Sequence, residues 1–184
     1  GFPSNLMCMF SGTVVGSSLN GLLIKSGATW NSVMPAGPSS NKFVGIAVDE
    51  RGWVWSGTGA ANGDGIMSFD GAQWKTYSVA TDARLGTNNY YKISLGRSNT
   101  KWASNWGAGI ALIDNNGLVQ KVLNTSNGLP PTLLESPTFV AVGGVATDRQ
   151  GRTWITNRTA PGDTSVLTFN PDRKSTRLDS SHRT

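Results

Sequence analysis

The composition of this 184-residue chain excludes several kinds of site before any element is placed. Its one cysteine, Cys8, cannot form an internal disulfide, and its one histidine, His182, leaves the preceding residues without a Ser-His-Asp triad or a histidine metal ligand. The formal net charge is +5, yet no Lys/Arg cluster follows the pattern of a nucleic-acid site, and no apolar run approaches the roughly 18 residues of a membrane span. We therefore expect no nucleic-acid partner, no metal and no cofactor.

In chain order, the sequence predicts four groups of short strands. The second group is the most regular, and its alternating apolar residues predict strands at 43–48, 53–57, 65–69 and 73–77. The first group lacks an obvious initial strand, and the last group lacks a natural fourth strand. We place the four groups at about residues 1–37, 38–79, 88–124 and 138–171.

A tryptophan recurs at the same strand position in successive groups. Trp55, Trp102 and Trp154 follow one another at steps of 47 and 52 residues, and Phe10 stands 45 residues before Trp55. A period of about 40–50 residues with several short strands is typical of a β-propeller blade. The predicted fold class is therefore all-β: a partial β-propeller of about four four-stranded antiparallel blades, the first and last incomplete. We expect these rings to pack between adjacent blades, although a ligand-binding role stays open.

Short turns separate the first two strands of the second and fourth groups. They are Asp49–Gly52 (DERG) and Asp148–Gly151 (DRQG), whereas the third group has Gly96–Asn99 (GRSN). An Asp at the first position accepts backbone N–H bonds and a Gly at the last tolerates a left-handed backbone, so we predict turns and not metal sites. Residues 62–65 (NGDG) are also predicted to be a turn, with calcium binding as the alternative.

Longer motifs resemble a known repeat family. Residues 38–58 (PSSNKFVGIAVDERGWVWSGT), 65–77 (GIMSFDGAQWKTY) and 142–157 (VGGVATDRQGRTWITN) are similar to the two-component-regulator propeller repeat. The resemblance covers about residues 9–170 and implies a bacterial extracytoplasmic propeller, periplasmic or on the cell surface. Many such propellers are the non-catalytic sensor portion of a signalling protein. The chain is similar as well to the propeller component of the type IX secretion system.

Aromatic and polar residues in predicted loops form the candidate binding site. In an up-and-down blade, the loops after the second strand and the connections to the next blade share one face. These segments contain Trp106, Tyr90, Tyr91, Asn105 and Arg158. Aromatic surfaces beside polar groups suit sugars and peptides, so we expect a glycan, peptide or protein ligand on this face. The alternative is that Trp106 packs on the neighbouring blade.

A catalytic propeller, such as a lyase or glycosidase, is the less favoured alternative. A glycosidase needs two carboxylates about 5–9 Å apart across a cleft. The acids in the predicted loops of the same face are Asp64, Asp82, Glu135 and Asp163. The family has no catalytic motif that can be transferred to positions here, and we assign no catalytic residue.

The C-terminal residues 172–184 are predicted to be a non-native, disordered tail. Residues 172–182 (DRKSTRLDSSH) resemble a translated sequencing adapter, with Asp179 where the adapter gives asparagine. A genuine basic, serine-rich tail is the alternative. We therefore leave this segment out of the predicted propeller.

Overall fold

The computed structural model describes residues 7–10, 13–18, 21–33, 37–158, 160, 165–169 and 179–180. These residues form short antiparallel strands and turns, which confirms the all-β prediction. The strands are β1 (Met7–Phe10), β2 (Thr13–Ser18), β3 (Gly21–Ser26), β4 (Thr29–Val33), β5 (Gly45–Val48), β6 (Val54–Gly57), β7 (Ile66–Phe69), β8 (Trp74–Tyr77), β9 (Tyr90–Leu95), β10 (Lys101–Gly107), β11 (Ile110–Ile113), β12 (Val119–Leu123), β13 (Val140–Thr147), β14 (Thr153–Asn157), β15 (Val166–Phe169) and β16 (Asp179–Ser180). No helix in the described ranges has the length and apolar character needed to cross a membrane.

Residues 1–37 and 38–184 form two compact units. The first unit holds sheet 1, in which β1 to β4 pair in sequence order. Phe10 ends β1 and pairs with Thr13 of β2, so it belongs to the first strand of its sheet. This finding corrects the predicted equivalence of Phe10 with Trp55, which lies in the second strand of sheet 2. It also supplies the initial strand that the sequence did not reveal.

The second unit begins with sheet 2, made of β5 to β8 paired in sequence order. Each of its strands begins and ends within about two residues of the predicted bounds, which is ordinary scatter for strand ends. Asp70 fixes the turn between β7 and β8, because its Oδ1 accepts hydrogen bonds from the N–H groups of Ala72 and Gln73. Gly71 supplies the positive φ of 100° that the turn requires. The local pattern therefore defines this sheet almost completely.

Sheet 3 (β9 to β12) and sheet 4 (β13 to β16) are joined at one edge. Within each, the strands pair in sequence order. The end of β10 also pairs with the start of β13, through Trp106 with Ala141 and Gly107 with Val140. The pairing of β9 with β10 has a register shift between Ser104 and Asn105, and β10 continues beyond the residue that pairs with Tyr90, the first of β9. The two sheets therefore share hydrogen bonds as well as side-chain packing.

Strand β16 lies in the segment that the sequence predicts to be a tail. Its two residues, Asp179 and Ser180, pair with Thr168 and Leu167 of β15. They occupy the position of a fourth strand in sheet 4. The other residues of 172–184 lie outside the described part of the chain, so the non-native origin of this segment stays a prediction.

Buried apolar side chains of the described residues gather in two clusters, each between neighbouring sheets of the second unit. The first includes Trp55 and Tyr77 from sheet 2 with Ala103 from sheet 3. The second includes Trp102 from sheet 3 with Ile155 from sheet 4. Consecutive four-stranded sheets packed face to face, with a tryptophan of each turned towards the next, are the architecture of propeller blades. The prediction of a partial β-propeller is confirmed.

Candidate functional site

Trp106 is the centre of an aromatic cluster in the second unit. Its half-buried ring lies 6.2 Å from the ring of Tyr91 and 6.1 Å from the ring of Phe139, both close to perpendicular to it. The guanidinium carbon of the exposed Arg158 lies 5.1 Å from the centre of the indole ring. Edge-to-face rings and a cation over an indole are both favourable geometries. These four residues, called the Trp106 cluster below, unite three of the five predicted binding residues and add Phe139.

Strand pairing fixes the position of the Trp106 cluster. Trp106 lies in β10 opposite Ala141, and the N–H of Arg158 donates to the carbonyl of the same Ala141 at 2.9 Å. The prediction that Trp106 lies in a loop is therefore wrong, because pairing with β13 extends the strand. The contact with Phe139 sets one edge of the indole against the segment that leads into β13.

Tyr91 ties the cluster to sheet 4. Its hydroxyl group donates to the carbonyl of Val142. Burial raises the pKa of Tyr91, while the positive charge of Arg158 acts in the opposite direction. The phenol is therefore neutral at physiological pH, and the charged group that the cluster presents to solvent is the guanidinium of Arg158.

The other two predicted binding residues are fully buried. Tyr90 donates its hydroxyl hydrogen to the carbonyl of Leu85 at 3.0 Å, and burial raises its pKa. Asn105 accepts a hydrogen bond from the hydroxyl of Thr87 at 2.9 Å. Asn157 accepts an equivalent bond from a threonine hydroxyl one repeat later. Both predicted residues therefore hold the connecting segments in place, and neither side chain is available to a ligand at the surface.

A buried charge pair lies between sheets 2 and 3. Asp49 accepts hydrogen bonds through Oδ1 from two backbone N–H groups of its own turn, and through Oδ2 from the indole N–H of Trp55 at 3.1 Å. Lys101 of sheet 3 brings its Nζ to 2.8 Å from the same Oδ2, and both side chains are fully buried. The ammonium also donates to the carbonyl of Asn99 at 2.9 Å and lies 4.8 Å from the centre of the Trp55 ring. One carboxylate thus links a turn, an indole and the neighbouring sheet.

Lys101 was missed by sequence reasoning, although a signal was present. It is a charged residue in a strand position that Val54 and Thr153 occupy in the other copies. Lysine is almost never fully buried unless it is paired, so an isolated lysine in a buried strand implies an acidic partner. That partner is 52 residues away in sequence, which the local pattern could not show.

Acid is expected to weaken the fold through Asp49. Burial alone would raise the pKa of this carboxyl, but hydrogen bonds from Lys101, Trp53 and Trp55 outweigh burial and lower it to about 2 from 3.8. The unfolded chain then binds the proton more tightly, so this contribution to the free energy of unfolding is complete above pH 4 and is lost as the pH falls through about 2. As the pH is lowered from about 4 to about 2, the urea concentration at the midpoint of unfolding should fall less steeply for Asp49→Asn than for the wild type. The exposed neighbour Glu50→Gln serves as the control, and equal slopes in the wild type and Asp49→Asn would contradict the assignment.

The turn of sheet 4 has the same carboxylate, but the cation paired with it is Arg152, from the same sheet. Asp148 accepts hydrogen bonds through Oδ2 from the indole N–H of Trp154 at 2.9 Å and from Nε of Arg152 at 2.8 Å. These bonds lower the pKa of Asp148 to about 2. Sheet 3 has Gly96 in place of the aspartate. The three turns therefore differ in how their tryptophan is held.

Asp64 and its loop are arranged as a turn with an internal cation. The carboxylate accepts a hydrogen bond from the hydroxyl of Ser40 at 2.6 Å and lies 3.2 Å from Nζ of Lys42. Lys42 also donates to the carbonyl of Asn62 at 2.7 Å, so its ammonium occupies oxygen atoms that calcium would need. No group of three or more His, Cys, Asp or Glu side chains suited to a metal occurs in the described ranges.

The remaining acids considered for catalysis are Asp82, Glu135 and Asp163. Asp82 caps the 3-10 turn at Ala83–Leu85 and binds the guanidinium of Arg84 at 2.6 Å, which lowers its pKa. Glu135 is exposed. Asp163 lies outside the described residues.

Comparison with family models and with curated proteins finds no match. Solved structures of similar fold do exist. PorZ, a surface component of the type IX secretion system of Porphyromonas gingivalis, is 18% identical with a TM-score of 0.66, over 94% of this chain and 25% of its own. The extracellular domain of a hybrid two-component system of B. thetaiotaomicron is 13% identical with a TM-score of 0.54, over 96% and 22%.

A third similar structure is the extracellular domain of a one-component system of B. thetaiotaomicron. It is 19% identical with a TM-score of 0.55, over 95% of this chain and 24% of its own. At these identities the likeness shows only the fold. The similar structures are a type IX secretion component and extracellular domains of signalling systems, the two kinds of protein that the sequence resembles. This chain spans about a quarter of the length of each solved protein.

Proposed function

We propose that this chain is part of a non-catalytic, extracytoplasmic β-propeller that recognises a glycan, peptide or protein ligand for a bacterial two-component-type sensor. The observation that carries the proposal is the exposed guanidinium of Arg158 held over the half-buried indole of Trp106. An apolar ring surface beside a fixed donor group is the usual composition of a recognition site. Tyr91 and Phe139 support it by holding the indole at two edges.

The proposed location, periplasmic or on the cell surface, is supported by the proteins of similar fold. Two are extracellular domains of signalling systems, and one is a bacterial surface component. Because this chain corresponds to about a quarter of each, the signalling step belongs to the longer protein of which such a propeller forms a part. Fold alone does not specify function, so the proposal depends on the Trp106 cluster and its test.

A role in type IX secretion is the second candidate. The likeness to PorZ, with a TM-score of 0.66, exceeds those to the two signalling domains, at 0.54 and 0.55. In that case the ligand of the Trp106 cluster would be a component of the secretion machinery. The two candidates share the fold, the location and the recognition surface, and they differ in the partner.

Catalysis is the least supported function. A general acid in a glycosidase needs a carboxyl whose pKa is raised so that it carries a proton near neutral pH. Bonds to Ser40 and Lys42 lower the pKa of Asp64, and a bond to Arg84 lowers that of Asp82. Both carboxylates are therefore ionised and paired, which suits structural turns.

Arrays of glycans and of peptides, probed with the full chain, test the recognition surface. We expect a ligand whose affinity falls about tenfold or more in Arg158→Gln, because hydrogen bonds from a charged donor contribute about 1.5–3 kcal/mol. Trp106→Ala should also abolish binding, since it removes the ring on which the guanidinium rests. Kd values from titration of each array ligand provide the measurement.

Arg97→Gln is the matched control for Arg158→Gln. Both replace an exposed arginine of the second unit, but Arg97 lies before β10, at the end opposite Trp106. The control should bind like the wild type. Binding that survives Arg158→Gln and is lost in Arg97→Gln would place the ligand elsewhere and would overturn the proposed site.

A further inference from the structure

A cleft separates sheets 3 and 4 at the ends of the strands that lie away from the Trp106 cluster. Its volume is about 360 Å³, within the range of small-molecule sites. The residues that matter for its chemistry are Arg97, Thr100, Trp102, Leu112, Thr147 and Thr153. All belong to the second unit, and the cleft is distinct from the proposed recognition surface. Trp106 follows Trp102 by four positions in β10, which is about 13 Å along a strand.

The internal repeat explains why this boundary is open. Between sheets 2 and 3, the corresponding space is filled by three buried polar side chains, those of Asp49, Lys101 and Asn99. One repeat later, the residues at these positions are Gly96, Thr153 and Gly151. A carboxylate, an ammonium and a carboxamide have thus been replaced by two glycines and a hydroxyl. The tryptophan is kept, Thr100 and Arg97 lie against the two glycines, and the cleft lies beside Trp102, Gly151 and Thr153.

The walls of the cleft combine apolar and hydroxyl groups. Trp102 is 3% exposed, and Leu112 lies beside it in the next strand of sheet 3. On the side of sheet 4, the hydroxyl oxygens of Thr147 and Thr153 lie 3.3 Å apart. This is the composition of a site for a small, partly apolar ligand that also accepts hydrogen bonds.

Arg97 supplies a positive charge at the cleft. Its exposed guanidinium is anchored by a hydrogen bond from Nη2 to the carbonyl of Arg149 across the cleft. A Cβ on residue 151 would come within 3.1 Å of Arg97 Nη1, so Gly151 leaves room for the guanidinium. No Asp or Glu of the described residues lies within ion-pairing distance of Arg97, whereas Arg51, Arg84 and Arg152 each have such a partner.

We propose that this cleft binds a small molecule that carries a carboxylate. The carboxylate lies at Arg97, whose planar guanidinium matches the geometry of two carboxylate oxygens. The hydroxyl groups of Thr147 and Thr153 hydrogen-bond to the ligand, and its apolar part packs on Trp102 and Leu112. The ligand thereby lies beside Thr153, which stands where the buried Lys101 stands one repeat earlier.

Benzoate and the neutral, isosteric benzamide are suitable probes. Each is titrated into the ¹⁵N-labelled full chain, and chemical shifts of the Trp102 indole N–H and the Thr153 amide are followed by NMR. We expect saturable shifts with benzoate. The affinity for benzamide should be lower by a factor of about ten or more, because the amide lacks the charge that pairs with Arg97. In Arg97→Gln, benzoate should bind no better than benzamide. Thr147→Leu should abolish binding of both, since it fills the cleft.

Arg84→Gln is the control here, because Arg84 is an exposed arginine that pairs with Asp82 and does not line the cleft, and this variant should bind benzoate like the wild type. Equal affinities for benzoate and benzamide, no shifts with either, or unchanged benzoate binding in Arg97→Gln would each overturn the proposal. If Arg97→Gln disturbs the fold, as judged by amide dispersion, Thr147→Leu decides, and unchanged benzoate binding in that variant overturns the site. Loss of the Trp106 cluster as a recognition surface would leave these results unaffected.

Discussion

Lys101→Met is expected to lower the free energy of unfolding of the second unit by about 3–5 kcal/mol. The substitution keeps the length of the side chain but removes the ammonium that lies 2.8 Å from Asp49 inside a fully buried pair. The carboxylate of Asp49 then remains buried with neutral donors and the more distant guanidinium of Arg51, 3.9 Å away, and the loss of its close cation carries most of the cost. Urea unfolding followed by tryptophan fluorescence measures the change.

The double variant Asp49→Asn with Lys101→Met separates the charge from the packing. It leaves no buried charge, so it should recover much of the stability lost in Lys101→Met alone, because an ion pair can often be replaced by neutral groups at little cost. Lys92→Met is the matched control, since Lys92 is exposed in the preceding strand and should change stability by less than about 0.5 kcal/mol. A Lys101→Met variant as stable as this control would contradict the role of the pair.

Local sequence patterns predicted most of the fold. The strands of sheet 2 follow from alternating apolar residues and from Asp-Gly turns, which are properties of a few neighbouring residues. Phe10 was assigned to the wrong strand because FSGT at residues 10–13 resembles WSGT at residues 55–58. Only the pairing of Met7–Phe10 with Thr13–Ser18 shows that it belongs to the first strand. Strand order within a sheet is a pairing property that spacing alone does not determine.

Sequence patterns did not predict the interactions between sheets. Trp106 was predicted to lie in a loop, whereas its strand depends on pairing with Ala141, 35 residues later. The contact of Arg158 with Trp106 was anticipated only as a shared face, and Phe139 was not anticipated at all. Residues brought together by neighbouring blades are distant in sequence, so their contacts need the folded chain.

The cleft beside Trp102 shows how a departure from a repeat can be informative. The sequence already showed that the third group lacks the aspartate of the turn, since Gly96 stands in its place. It could not show that Asp49 pairs with Lys101, and therefore could not show that a cleft lies beside Thr153, the counterpart of Lys101. The effect of a substitution at a repeated position can be predicted only when the residue that faces it from the neighbouring sheet is known.

Trp55→Ala is expected to lower the free energy of unfolding by about 3–5 kcal/mol, the usual cost of removing a large buried aromatic side chain. Trp55 is fully buried between sheets 2 and 3, with its ring 5.6 Å from that of Tyr77 and under the ammonium of Lys101. Its removal opens a cavity in the interface that joins the two sheets, and it deprives Asp49 of the indole N–H. Urea denaturation, with near-UV circular dichroism as a second probe, gives the size of the effect.

Two further variants test whether the stability lost in Trp55→Ala comes from packing or from the hydrogen bond to Asp49. Trp55→Phe keeps part of the ring and removes the hydrogen bond to Asp49, so it should cost about 1–3 kcal/mol, less than the alanine variant. Trp154 holds the same repeat position and bonds to Asp148 in the same way, but it is only half-buried, and Trp154→Ala should cost about 1–2 kcal/mol. If Trp154→Ala proved as costly as Trp55→Ala, burial between blades would not be what makes the repeated tryptophan matter. The hydrogen bond to the turn aspartate, which both residues make, would then be its main contribution.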